Sequence, residues 1–137
     1  MTAFNIQSGV ISLHCAAFGF FVLLLASLPA HACLTDKPLM QAAEGRLDVK
    51  TAQDAAGRPE NPIILRLAKP ACLASEDADM RVSSTIEIHV YSTRPGVHAK
   101  LKGLLGKSVS VQGQPFGAHT AHHHAPIVMD VSKVEPR

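Results

Sequence analysis

The sequence predicts a mainly β domain: a small five-stranded barrel with one short helix between strands three and four. Three observations predict it. Apolar and polar residues alternate with a period of two in five segments between residues 44 and 134. A single segment repeats instead at helical spacing. Gly and Pro punctuate the intervals.

The elements follow in order. EGRLDVKT, residues 44–51, sets Leu47 and Val49 against Arg46, Asp48 and Lys50. PIILRLAKP, residues 62–70, puts Ile63, Leu65 and Leu67 on one face. TIEIHVY, residues 85–91, sets Ile86, Ile88 and Val90 against Thr85, Glu87, His89 and Tyr91, so His89 is expected on an exposed strand face. KSVSVQG alternates Val109 and Val111 with Ser108, Ser110 and Gln112, and PIVMDVSKV places Ile127, Met129 and Val131 together. Such alternation, rich in β-branched residues, suits strands with one buried face. In RPGVHAKLKGLLG, Val97, Leu101, Leu104 and Leu105 instead form a helical face. Pro95 suits its first turn and Gly106 a left-handed cap. TAQDAAGRPEN and LASEDADMRVSS are expected as polar loops, and Gly113 and Gly117, flanking Phe116, as marks of a bulge. The order strand, strand, strand, helix, strand, strand is that of the OB-fold.

The amino-terminal part has a different composition. The first 35 residues carry no charged side chain, although the chain has 13 Lys and Arg and 11 Asp and Glu. AAFGFFVLLLASL, residues 16–28, is followed by Pro29 and the pattern Ala30-His31-Ala32. This reads as a signal peptide over residues 1–32, cleaved after Ala32, with residues 33–137 as the working domain in the periplasm or outside the cell. The n-region MTAFNIQSG lacks Lys and Arg, and an uncleaved anchor over Gly9–Leu28 competes with cleavage. Lipid attachment at Cys33 is a third reading, weaker because Ala30 stands where lipoprotein signals carry Leu. No membrane span is expected after cleavage, and the domain is expected to act as a monomer.

Export changes the meaning of the cysteines. Cys15 leaves with the signal, and Cys33 and Cys72 remain in an oxidising compartment where disulfides persist. Their pairing would close a loop of ~40 residues, worth roughly 4 kcal/mol in chain entropy. A thiolate ligand or nucleophile is the alternative. The net charge of +2 gives no basic footprint. The domain keeps only Phe116 and Tyr91 as base-stacking aromatics, so nucleic acid is not expected as a partner.

Half of the eight histidines lie in HTAHHHAP, residues 119–126, on the connection between the last two strands. In OB-folds that connection is one of the two that contact ligands. Imidazole suits zinc or copper. His119 and His122 can meet across a turn, and His122 and His124 project to one side of an extended backbone, giving a three-ligand set. His123, Thr120 and Phe116 complete the expected ligand loop. The alternative is a hydrogen-bonded lid in which ring N–H groups satisfy carbonyls of the turn. No Walker loop, G-x-S-x-G or H-E-x-x-H motif occurs, and no catalytic residue can be named.

The stretch GKSVSVQGQPFGAHTAHHHAPIVMDVSKVE resembles the C-terminal signature of an exported bacterial family, the domain of unknown function 4431. Its pattern is a G-K-x-V-x-V-x-G strand, a Phe, an H-T-x-H-H-H-x-P run and an apolar strand. CL at 33–34, EGRL at 44–47 and KPACL at 69–73 are similar to its other landmarks. The first loop is shorter here than in the family, so ligand contacts from that loop are not carried over. The family has no established activity, and the resemblance implies compartment, fold and disulfide more than function. Three readings stay open: a binding module with a His-rich ligand loop, an envelope zinc or copper protein, and an interaction or inhibitor domain acting on an envelope partner.

Overall fold

The five alternating segments each form a long strand, and the helical segment forms the one α-helix of the described chain. The computed structural model describes residues 33–37 and 40–137. The expected signal peptide, with its cleavage site after Ala32, lies outside the described residues. The elements are β1 (Leu34–Thr35), β2 (Gln41–Val49), β3 (Ala52–Gln53), β4 (Pro59–Glu60), β5 (Ile63–Ala74), β6 (Val82–Tyr91), α1 (Pro95–Gly103), β7 (Ser108–Gly117) and β8 (Ile127–Pro136). Counted this way, the helix follows the sixth strand and not the third, a correction to the expected order. The three extra strands are two residues each, too short to show a period, and the helix lies between the third and fourth long strands.

β2 pairs antiparallel with β5 and β7, and β7 with β8. β8 lies parallel to β6, which returns antiparallel to β5. The pairings of the five long strands thus run in a closed circuit. β1 adds to β5 in parallel, and β3 and β4 form a separate hairpin inside the connection expected to be a plain loop. The second expected loop shrinks to a 3-10 turn at Ala78–Met80 between β5 and β6.

Cys33 and Cys72 form a disulfide, with Cα atoms 4.7 Å apart. It fastens the start of β1 beside β5.

The inward face is the alternating set: Leu47, Leu65, Ile88, Val109, Val111, Ile127 and Met129 are fully buried. Leu101 of α1 packs into the same cluster, with Val97 and Leu104 partly buried beside it. Pro95 opens the helix as expected, and the Ser92 hydroxyl ties its entry to β8 by donating to the Val131 carbonyl at 2.6 Å. Gly106 takes a positive φ of 80° after the helix.

Three apolar residues depart from their expected burial. Val49 and Leu105 sit at or beyond an element's end and are partly exposed. Ile86 is 53% exposed in mid-strand. Its partner strand bows away there: Arg66 pairs with Glu87 and Ala71 with Thr85, so four residues of β5 stand opposite Ile86 alone.

A second apolar row runs across the outside. Cross-strand register aligns Ile64, His89, Val128 and Phe116 on β5, β6, β8 and β7. Ile64 and Val128 are fully buried although they point away from the main core. The His-rich connection lies over this row.

Candidate functional site

The site is built where two connections meet over that outer row. One is residues 50–62 between β2 and β5; the other is residues 118–126 between β7 and β8.

The first connection is shaped by Asp54, whose buried carboxylate accepts from the backbone N–H of Ala56 and Arg58 at 2.8 and 2.9 Å. Gly57, at a φ of 74°, completes the turn with a conformation that side-chain-bearing residues resist. The hairpin so formed carries Glu60 on β4. The second connection is closed at its neck by Ala118 N–H donating to the Pro126 carbonyl at 3.0 Å, and at its tip by His123 N–H donating to the Thr120 carbonyl at 3.1 Å. Thr120 is exposed at that tip.

The four histidines divide into two pairs. His119 and His123 meet edge to face with ring centres 4.7 Å apart, and both lie against Phe116 at 5.5 and 5.4 Å. His119 Nδ1 meets the Gly117 carbonyl at 3.0 Å, and His119 N–H donates to His123 Nδ1 at 3.1 Å. This pair packs as a lid. His122 and His124 face the other connection, where both hydrogen-bond the carboxylate of Glu60: His122 Nδ1 lies 2.6 Å from Oε1, and His124 Nε2 meets Oε2. His124 is the more enclosed of the two.

The expected three-ligand set of His119, His122 and His124 is therefore not assembled. His122 and His124 do meet on one side, both at the Glu60 carboxylate, although His122 lies in a turn and not in an extended stretch. His119 packs on Phe116 instead. Among the described residues, no three His, Cys, Asp or Glu side chains stand in a metal-holding arrangement.

His89 was expected to be exposed, yet it is half-buried under the second connection. Its ring lies 5.7 Å from that of His124, and its Nδ1 accepts from His124 N–H at 3.4 Å. A strand's outer face is not solvent when a loop folds over it. Burial, reinforced by the His124 and His123 imidazoles, lowers the His89 pKa to about 4, so the ring is neutral near pH 7. Burial, then the neighbouring imidazoles, likewise lowers that of His123. The Glu60 carboxyl sits below its ordinary range because His124, then His122, hydrogen-bond its charged form.

These bonds assign protons. An ionised carboxylate only accepts, so the nitrogens facing Glu60 carry hydrogen. In the neutral form of each ring, which metal binding requires, the lone pairs left over are on His122 Nε2 and His124 Nδ1. His119, donating from Nδ1 to a carbonyl, keeps Nε2 free in the same way. His89 and His123 already use a lone pair inside the protein.

Glu60, Asn61, Pro62, His89, His122 and His124 line a shallow pocket of about 330 Å³. Beneath it Lys50 donates to the His124 carbonyl at 3.3 Å and pairs with Glu87 at 2.9 Å, fixing the base of the loop. Sequence reasoning missed Glu60 and Lys50, since neither belongs to a motif. The one available signal for Glu60 was the D-A-A-G turn that presents it, and this first connection is the one from which no contact was carried over.

Comparison with curated proteins finds no match. Among solved structures, a small single-stranded DNA-binding protein from Streptomyces coelicolor is similar at 19% identity, with a TM-score of 0.39. The alignment covers 72% of this chain and 94% of that one. The segment carrying His89 and the His-rich connection, residues 87–135, matches the family described as Domain of unknown function (DUF4431). The resemblance read from the loop motif is thereby shown over this segment.

Proposed function

We propose that this chain is a small exported binding module, an OB-fold-like barrel whose ligand site is formed jointly by its first and last loops. One observation carries the reading: a carboxylate from one loop, Glu60, holds two imidazoles of the other, His122 and His124, at the rim of a pocket floored by His89. The closed circuit of strand pairings supports the barrel, and those two loops are the ones OB-folds use for ligands. Export rests on the uncharged apolar leader and on a disulfide of the kind that persists outside the cytoplasm.

The ligand class that the donors favour is a first-row transition metal ion, zinc or copper. Ligating histidines commonly donate their other ring N–H to a carboxylate or carbonyl, which fixes the tautomer and raises ligand basicity. Glu60 does this for His122 and His124. Loading requires the free nitrogens to converge, so the proposal includes movement of the His-rich loop on binding.

Calorimetric titration of tag-free protein with Zn²⁺ and Cu²⁺ tests it. The expected result is a dissociation constant below about 10 μM for one of them, weakened at least tenfold by H122A/H124A and also by E60Q. No binding at that level counts against the metal reading. A second reading, an interaction domain acting on an envelope protein, is favoured by a separate feature on another face.

A further inference from the structure

Strands β2 and β5 are in register from Val49 and Ile63 to Gly45 and Leu67, and then part. At the parting point they touch: a Cβ on Gly45 would lie 2.2 Å from the Arg66 carbonyl oxygen. Beyond it, Gln41 to Glu44 are paired to β7 alone, and Ala68 to Pro70 have no pairing on either side. The fork opens a groove of about 650 Å³, a size typical of ligand sites. Small and apolar side chains lie along it, among them Ala42, Ala43, Leu67, Ala68 and Pro70.

We propose that this groove takes an extended, acidic polypeptide segment of a partner protein, added as a strand beside β2. This gives the interaction reading a surface and a partner class, and it is independent of the metal site.

The two walls differ in what they offer a strand. An unpaired strand edge is a template for another chain, and proteins blunt such edges with Lys, Pro and bulges. The β5 wall has all three: Lys69, Pro70 and the bowed stretch opposite Ile86. The β2 wall from Ala42 to Glu44 has none, so its backbone N–H and C=O groups are the receptive side for strand addition. The far end is closed where the Gln41 side chain makes paired bonds to the Thr35 main chain at 3.0 and 2.9 Å. That leaves space for about four residues in extended form, or ~13 Å.

Charge selects the segment. Arg46, Arg66, Lys69 and Arg137 line the groove against the single carboxylate of Glu44. Arg66 is engaged by Asp48 and Glu87, and Arg137 by Glu44. Arg46 and Lys69 have no carboxylate partner among the described residues. A polyanion of nucleotides would want aromatic rings for base stacking, and none lines this groove.

The test is a backbone-amide NMR titration of the disulfide-bonded protein with a blocked six-residue peptide alternating Val and Glu. The controls are its Val–Lys counterpart, its N-methylated analogue and a short oligothymidylate. The expected result is amide shifts centred on Ala42–Glu44 with the Val–Glu peptide. Binding should weaken at least tenfold with N-methylation, with Lys in place of Glu, and in an R46E/K69E variant that melts like wild type. Absence of shifts, shifts centred on another face, or equal binding of the N-methylated peptide overturns strand addition. Equal binding of the Val–Lys peptide overturns the charge argument, and tighter binding of the oligothymidylate in this groove overturns the partner class.

Discussion

Removing the disulfide with C33S/C72S should cost most of the stability that a domain of this size has to spare. The two cysteines are separated by 39 residues, and closing such a loop in the unfolded chain corresponds to about 4 kcal/mol of chain entropy at 25 °C. Little in the folded state offsets that loss. Cys33 is exposed and Cys72 half-buried, so serine leaves no large cavity. β1 would keep its two residue pairs with β5, the Gln41 bonds and the packing of Leu34 on the core, none of which restrains the unfolded chain. At 4–8 °C per kcal/mol for a small domain, the melting temperature should fall by on the order of 20 °C. Urea unfolding followed by far-UV circular dichroism measures the free energy directly, and the slope m should rise because the unlinked unfolded chain exposes more surface. A loss below about 1 kcal/mol with unchanged m would refute the reasoning that this bridge acts by restraining the unfolded chain.

Four other substitutions test the packing and the site. Leu101, fully buried beneath the strands, should cost about 2–5 kcal/mol as L101A in the same urea assay, and a loss under 1 kcal/mol would remove the helix from the core. Gly113 sits at a register shift where a Cβ would lie 2.2 Å from the Asp130 carbonyl, so G113A should destabilise by about 1–3 kcal/mol. G103A, with open space around it at the end of α1, should instead gain up to ~1 kcal/mol, and matching signs would contradict the close approach at β8. His89, facing His123, His124 and Glu60, has its pKa lowered from 6.5 to about 4 on folding, so the unfolded chain binds its proton more readily. Its contribution is therefore intact above about pH 6.5 and lost as the pH falls toward 4. Metal-free H89Q should show a flatter fall over that window than wild type, and parallel curves would show that the ring titrates normally.

The strands were legible because their signal is local. Leu47, Val109 and Met129 each lie two residues from another apolar side chain on the same strand, and a closed circuit of strands buries that face. That His122 and His124 fall together was expected from i, i+2 alternation, although the loop turns at His122 and it is their shared partner that unites them. What they face was not legible. Glu60 lies more than 60 residues away and reaches them only because Asp54 and Gly57 turn its hairpin back over the sheet.

The same limit explains His89 and Ile86, which a period-two reading assigns by parity alone. Parity says which face of a strand a side chain takes, but not whether that face is covered or whether the neighbouring strand is still there. At His89 a loop covers the polar face, and the ring becomes neutral and part of a pocket. At Ile86 the neighbour bows away, and an apolar residue is left exposed beside the stretch of β5 that borders the groove. Both departures from simple alternation mark a place where the sheet stops behaving as a plain sheet, and both lie beside a surface proposed to bind.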